Sequence, residues 1–120
     1  MTTVPTAVAL LERMIEGVFN EPDADRRAAV IAEIFTEDVV FTDAERTVTG
    51  HAELGAPVTG LLAQAPGLVF TPSGPFRGVG DLGMRSWRLG PQGGEAVLGG
   101  LDVAHVMDGR IGRLWTIIEA

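Results

Sequence analysis

The chain has 120 residues, 46% of them hydrophobic, which suits one packed domain and leaves no room for a disordered polymer. Sixteen acidic against nine basic residues give a net charge of -7, which argues against nucleic acid or an anionic membrane as partner, since phosphate contacts need clustered Lys and Arg. With no cysteine there are no disulfides and no thiolate metal sites. The first residues carry no basic stretch ahead of an apolar one, and no apolar run approaches the ~18 residues of a membrane span, so a cytoplasmic protein is expected. No repeat or linker divides residues 1–120, which read as a single domain.

In chain order, Ala7, Val8, Leu11, Met14, Ile15, Val18 and Phe19 recur at three and four, predicting an amphipathic helix over residues 6–19. Asn20, Glu21 and Pro22 end it. Asp23 or Asp25 then caps a second helix, expected to bury Ala29, Val30, Ile34 and Phe35 and to leave Arg26 and Arg27 in water. Residues 39–42 read as a strand closed by Asp43, and 47–49 as a short return strand before Gly50. A third helix is expected over 51–64 with Leu54, Val58, Leu61 and Leu62 inward, weakened by Gly55, Pro57 and Gly60.

After Pro66 and Gly67 the pattern changes to strands at 68–71, 82–89, 95–107 and 110–118, separated by Gly and Pro clusters at 72–75 and 90–94. Helices first and a mainly antiparallel sheet later predict an α+β fold, with the N-terminal helices packed on one face of a curved sheet.

Within 98–107 the alternation puts Asp102 on a face with Ala104 and Val106, opposite Leu101, Val103, His105 and Met107. A carboxylate among apolar neighbours must find partners, give up its charge, or lie in a solvated cavity. The turn decides its company. A two-residue turn at Asp108 and Gly109 brings Arg113 and Trp115 to the Asp102 face; a three-residue loop of Met107, Asp108 and Gly109 brings Gly112, Leu114, Thr116 and Ile118. The second is favoured because it leaves Arg113 and Glu119 together on the opposite face.

The succession of helix, helix ending FTEDVVFTDAERTVTGHAEL, third helix and four strands finishing GLDVAHVMDGRIGRLW resembles the nuclear-transport-factor-2-like superfamily and its SnoaL-like members. The resemblance covers nearly the whole chain. It implies a cone-shaped α+β fold enclosing an apolar pocket, a small apolar organic ligand, no cofactor, and a homodimer formed through the outer sheet. It implies function weakly, because the fold hosts enzymes, binding modules and assembly domains.

Within the superfamily, ketosteroid isomerase has an aspartate base that Asp43 in VVFTDA resembles, and a second, protonated aspartate that Asp102 in GLDVAH resembles; the handling of such a neutral acid is known from that enzyme. Its tyrosine has no counterpart: the chain contains none, and the nearest positions carry Met14 and Ile15. Limonene epoxide hydrolase places an arginine two residues before its first aspartate, where this chain has Gly100, so Arg85 or Arg113 would have to substitute. SnoaL-type polyketide cyclases ask chiefly for one pocket carboxylate that moves a proton on an enolising substrate.

The expected site is therefore Asp102 with Asp43 as acid-base groups, and Arg85, Trp87, Leu114, Thr116, Ile118, Met14 and Phe41 around the ligand. The reaction class is an isomerase or cyclase on a carbonyl-bearing molecule; the alternatives are a non-catalytic ligand-binding or dimerisation module, or an epoxide-hydrolase-like enzyme with a rearranged relay. Structural alternatives stand beside each residue: a turn for Asp43, an ion pair with Arg85 or Arg113 for Asp102, and structural roles for His51 and His105. Two distant histidines and scattered acids give no metal-ligand spacing, and no glycine-rich strand-to-helix loop suggests a nucleotide.

Overall fold

The computed structural model describes residues 6–64 and 66–119, without the side chain of Leu62, whose expected inward position lies outside what is described. Helix α1 (Ala7–Met14) is capped by the Thr6 side chain, which accepts from Ala9 N at 3.3 Å. It does not run on as α-helix to Phe19: Ile15–Phe19 is a π-helical turn, closed by Asn20 N donating to the Ile15 carbonyl at 3.0 Å. Within the turn Gly17 lets α2 approach closely, since a Cβ there would lie 2.9 Å from the Val30 methyls. The wide turn aims Ile15 and Phe19 at the cavity described below, a placement that helical periodicity alone does not give.

Asp23 caps α2 (Ala24–Ile34) by accepting from Arg26 N at 2.9 Å. Its buried side is Arg27, Val30, Ile31 and Ile34, and Ala29 is exposed. Arg27 is thus not in water. It is 4% exposed, donating to the Glu21 carbonyl at 2.6 Å and to Thr59 Oγ1 at 2.7 Å, because α3 (His51–Gln64) covers it. Phe35, expected in α2, instead begins β1 (Phe35–Thr42).

Strands β2 (Thr47–Thr49), β3 (Leu68–Val79), β4 (Leu82–Pro91), β5 (Leu98–Met107) and β6 (Arg110–Glu119) complete one six-stranded sheet in the order β2-β1-β6-β5-β4-β3. Every pair is antiparallel except β1 with β6. Strand β3 continues through the 72–75 cluster, which was expected to break it, by a register shift between Ser73 and Arg77. An edge strand tolerates Pro72 and Pro75 because one side of its backbone has no ladder to complete.

The β5–β6 hairpin combines both expected geometries. Asp108 and Gly109, with φ of 53° and 79°, form the two-residue primed turn, and Met107 pairs with Arg110. One residue is then added at Gly112, so that Val106 pairs with Ile111 but His105 pairs with Arg113. A shift of one residue exchanges the faces of everything beyond it. Asp102 therefore stands opposite Thr116, with Leu114 and Ile118 on its face, and Arg113 and Trp115 lie on the other.

The three helices cover one face of this curved, unclosed sheet. The main core between them includes Leu11, Met14, Ile34, Phe35, Ile111 and Leu114. A second apolar cluster of Ile15, Phe70, Trp87 and Leu89 sits apart, nearer the open end. No helix among the described residues is long and apolar enough to cross a membrane.

Candidate functional site

Between α3 and the concave sheet face lies a cavity of about 900 Å³, at the upper end of the range of small-molecule sites. Its apolar wall comes from distant segments: Ile15 and Phe19 from the π turn, Phe41 from β1, Phe70 from β3, Trp87 from β4 and Ile118 from β6. Phe70 packs edge-on to Trp87 with centroids 5.1 Å apart, and Phe19 lies 5.3 Å from Phe70.

Asp102 opens onto this cavity and is 3% exposed. Thr116 Oγ1 donates to its Oδ1 at 2.7 Å, and the Trp87 indole stands beside the same carboxyl and favours its charged form. Burial pushes the acid up to about 6, against the Thr116 hydroxyl and the neighbouring Trp87 indole, which favour its ionised form. The group thus changes charge close to neutral pH without a counter-ion.

Trp87 reaches that position because its partner across the ladder is Gly100. The indole lies against the Gly100 backbone, and a Cβ there would collide with the ring. The position that in limonene epoxide hydrolase holds an arginine is here filled by a neighbouring strand's indole.

Arg85 stands directly opposite Asp102 on β4, yet the two make no ion pair within 4.0 Å, and the Arg85 Nε is buried without a hydrogen-bond partner. It is absent from the cavity wall, as are Met14 and Leu114. Both apolar residues are fully packed in the main core, because α1 presents Met14 to the sheet and Ala104 and Leu114 pair beneath it. Of the expected surroundings, Trp87, Thr116, Ile118 and Phe41 line the cavity. Ile15, Phe19, Phe70 and Leu89 were not foreseen as lining; their only signal was apolar character, which equally suits a core.

Asp43 lies at the mouth. Thr42 pairs with Trp115, which brings Asp43 level with Thr116 and so two strands from Asp102, roughly 10 Å between backbones at ~4.8 Å per strand. Its Oδ1 accepts from Glu45 N and Arg46 N, both at 2.9 Å, the bonding of an aspartate that shapes a turn. His51 is half-buried and its Nε2 bonds the Phe35 and Thr36 carbonyls at 3.1 and 2.9 Å, tying α3 to β1. His105 lies on the outer sheet face opposite Arg113. Among the described residues no three His, Cys, Asp or Glu side chains group as metal ligands would.

Chemically, the site offers one carboxyl that holds and releases a proton, oriented by a hydroxyl and an indole, in a space large enough for a polycyclic molecule.

A profile of the SnoaL-like domain matches residues 11–114. A solved structure described as a candidate isomerase of the SnoaL-like family, from Agrobacterium tumefaciens, superposes with a TM-score of 0.87 at 24% identity, over 94% of this chain and 97% of that one. A candidate SnoaL-like polyketide cyclase from Jannaschia gives a TM-score of 0.80 at 16% identity, over 99% and 90% of the two chains. A candidate ketosteroid isomerase from Kribbella flavida gives 0.66 at 19% identity, over 93% and 76%. No curated protein matches. At these identities the structural likeness establishes the fold, the cone seen in nuclear-transport-factor-2-like proteins. The profile spans most of the sequence, and the chain is accordingly a member of the SnoaL-like domain family.

Proposed function

We propose that the protein is an acid-base enzyme of isomerase or cyclase type, in which Asp102 moves a proton on an apolar, carbonyl-bearing molecule held in the cone. The observation that carries this is the Asp102 carboxyl, 3% exposed yet open to a cavity of about 900 Å³, with burial raising it to about 6. Ionised at neutral pH, it is a base strong enough to take an activated α-proton and weak enough to return it. The Thr116 hydroxyl donates to it and the Trp87 indole favours its charged form, which suits a carboxylate base better than a neutral oxyanion donor. Asp43, engaged by two backbone N–H groups, shapes the mouth while Asp102 works alone.

Hydrogen–deuterium exchange tests the reading. Cyclic ketones and β-keto esters are incubated with the protein in deuterated buffer, and loss of the α-proton signal is followed by NMR. The wild type accelerates exchange and Asp102→Asn does not; equal exchange by both, with ligand bound, leaves a binding module.

That second reading draws on one observation: with Asp43 tied into its turn and Ile15 near the tyrosine position, Asp102 has no companion acid inside the cavity. An epoxide-hydrolase relay is least favoured, since Gly100 and Trp87 occupy the arginine position and Arg85 does not pair with Asp102. A cytoplasmic homodimer is part of the same proposal. The outer sheet face bears Leu101, Val103 and Trp115, half-buried, and Ile117, 52% exposed, which association through that face would cover. Sedimentation of a single 12.7 kDa species would remove the dimer from it.

A further inference from the structure

The charges on the cavity wall are nearly all of one sign. Asp43, Glu45 and Glu53 stand at the mouth and Asp102 inside, against Arg46 as the one cation among the described lining residues. Arg46 is itself paired with Glu45 at 3.2 Å, in an exposed bridge. Asp43 and Glu53 accept only from neutral backbone groups, Glu53 from Thr49 N at 2.9 Å. Arg85, the cation closest in register to Asp102, neither pairs with it nor lines the cavity. The rest of the wall is largely hydrocarbon and aromatic ring.

We propose that this cavity takes only ligands without negative charge: the substrate arrives as a neutral ring-sized ketone, ester or lactone, carboxylates and phosphates are rejected, and an amine of the same shape binds tightest and blocks the site. The inference rests on Asp102 lying ionised in the cavity, and deepens the function proposed above by naming its substrate class. A ligand carboxylate would meet Asp102 where water solvates neither, so one of the two must take up a proton before both fit. A ligand ammonium does the opposite. It supplies the counter-ion that the fold withholds, in a wall that holds the aromatic rings of Trp87 and Phe70.

Isothermal titration at pH 8 with three probes of one shape provides the test: 2-acetylnaphthalene, 2-naphthoate and protonated 2-naphthylmethylamine. On the wild type the amine binds about tenfold or more tighter than the ketone, and naphthoate about tenfold or more weaker, as unit charges in a poorly solvated site require. Asp102→Asn brings the three to within about threefold of one another, and wild-type protein at pH 4.5, where Asp102 is protonated, narrows the order without any substitution. Naphthoate binding as tightly as the ketone overturns the proposal. So does a charge order unchanged in Asp102→Asn, or failure of all three probes to bind. The order is read without turnover, so it stands or falls separately from α-proton exchange.

Discussion

The indole of Trp87 lies against the backbone of Gly100, its ladder partner, in the space that any β-carbon at residue 100 would need. That contact lets one aromatic ring serve both as cavity wall and as a polar neighbour that favours the charged form of Asp102. Gly100→Ala must push the ring aside and is expected to destabilise the fold by about 1–3 kcal/mol, the usual cost of overpacking. At Gly99 an added Cβ would meet nothing closer than 3.6 Å, so Gly99→Ala avoids that clash. Urea denaturation of the two variants measures the contrast, and Trp87 near-ultraviolet dichroism should change in Gly100→Ala alone.

Asp102 sets a pH dependence of definite sign. Its proton is held more tightly folded, at about 6, than at the ordinary 3.8, so stability falls as pH rises through that window and is level above it. Roughly two pK units correspond to about 3 kcal/mol. Asp102→Asn removes this slope. The variant should gain on the wild type between pH 4 and pH 7.5 by about that amount, less the cost of its unpaired amide hydrogens. Denaturant midpoints at the two pH values give the difference directly; a constant gap between the proteins would show that Asp102 does not titrate there.

Thr116 opposes the effect of burial by donating to Asp102 Oδ1. Thr116→Val keeps the shape and removes the donor, so the Asp102 carboxyl should titrate at a still higher pH. Carbon-detected NMR of the carboxyl follows the change. The acid limb of any proton-transfer rate should move upward with it, while wild-type folding is retained in far-ultraviolet dichroism.

Arg27 is a buried cation held by neutral acceptors, the Glu21 carbonyl and Thr59 Oγ1. Arg27→Met retains much of its apolar stem but leaves the Glu21 carbonyl without that donor, and should cost about 1–3 kcal/mol. Thermal unfolding measures the loss. Arg26→Met, at an exposed position on the same helix, should cost well under 1 kcal/mol.

The order of helices and strands was legible because it is local: apolar residues at three and four in 7–19, and alternation in 98–107, each report the period of their own backbone. The burial of Arg27 was not, since it depends on α3 packing over it, and the close approach of Val30 to Gly17 in the π turn is likewise a meeting of two elements. Pro72 and Pro75 misled for a similar reason: whether proline ends a strand depends on whether that strand is at the sheet's edge.

For the site, the sequence alone determined that Asp102 shares a face with apolar residues, because successive side chains in a strand alternate whatever the strand packs against. Which residues faced it from β6 was decided by one inserted residue, Gly112, beyond the turn whose chemistry suggested two answers. Only the assembled sheet decided that Thr116 hydrogen-bonds to the carboxyl with Trp87 beside it, that Arg85 does not neutralise it, and that Asp43 lies two strands away. Period is a property of a few consecutive residues, whereas a cavity and the pKa within it are properties of segments that meet only after the chain has folded.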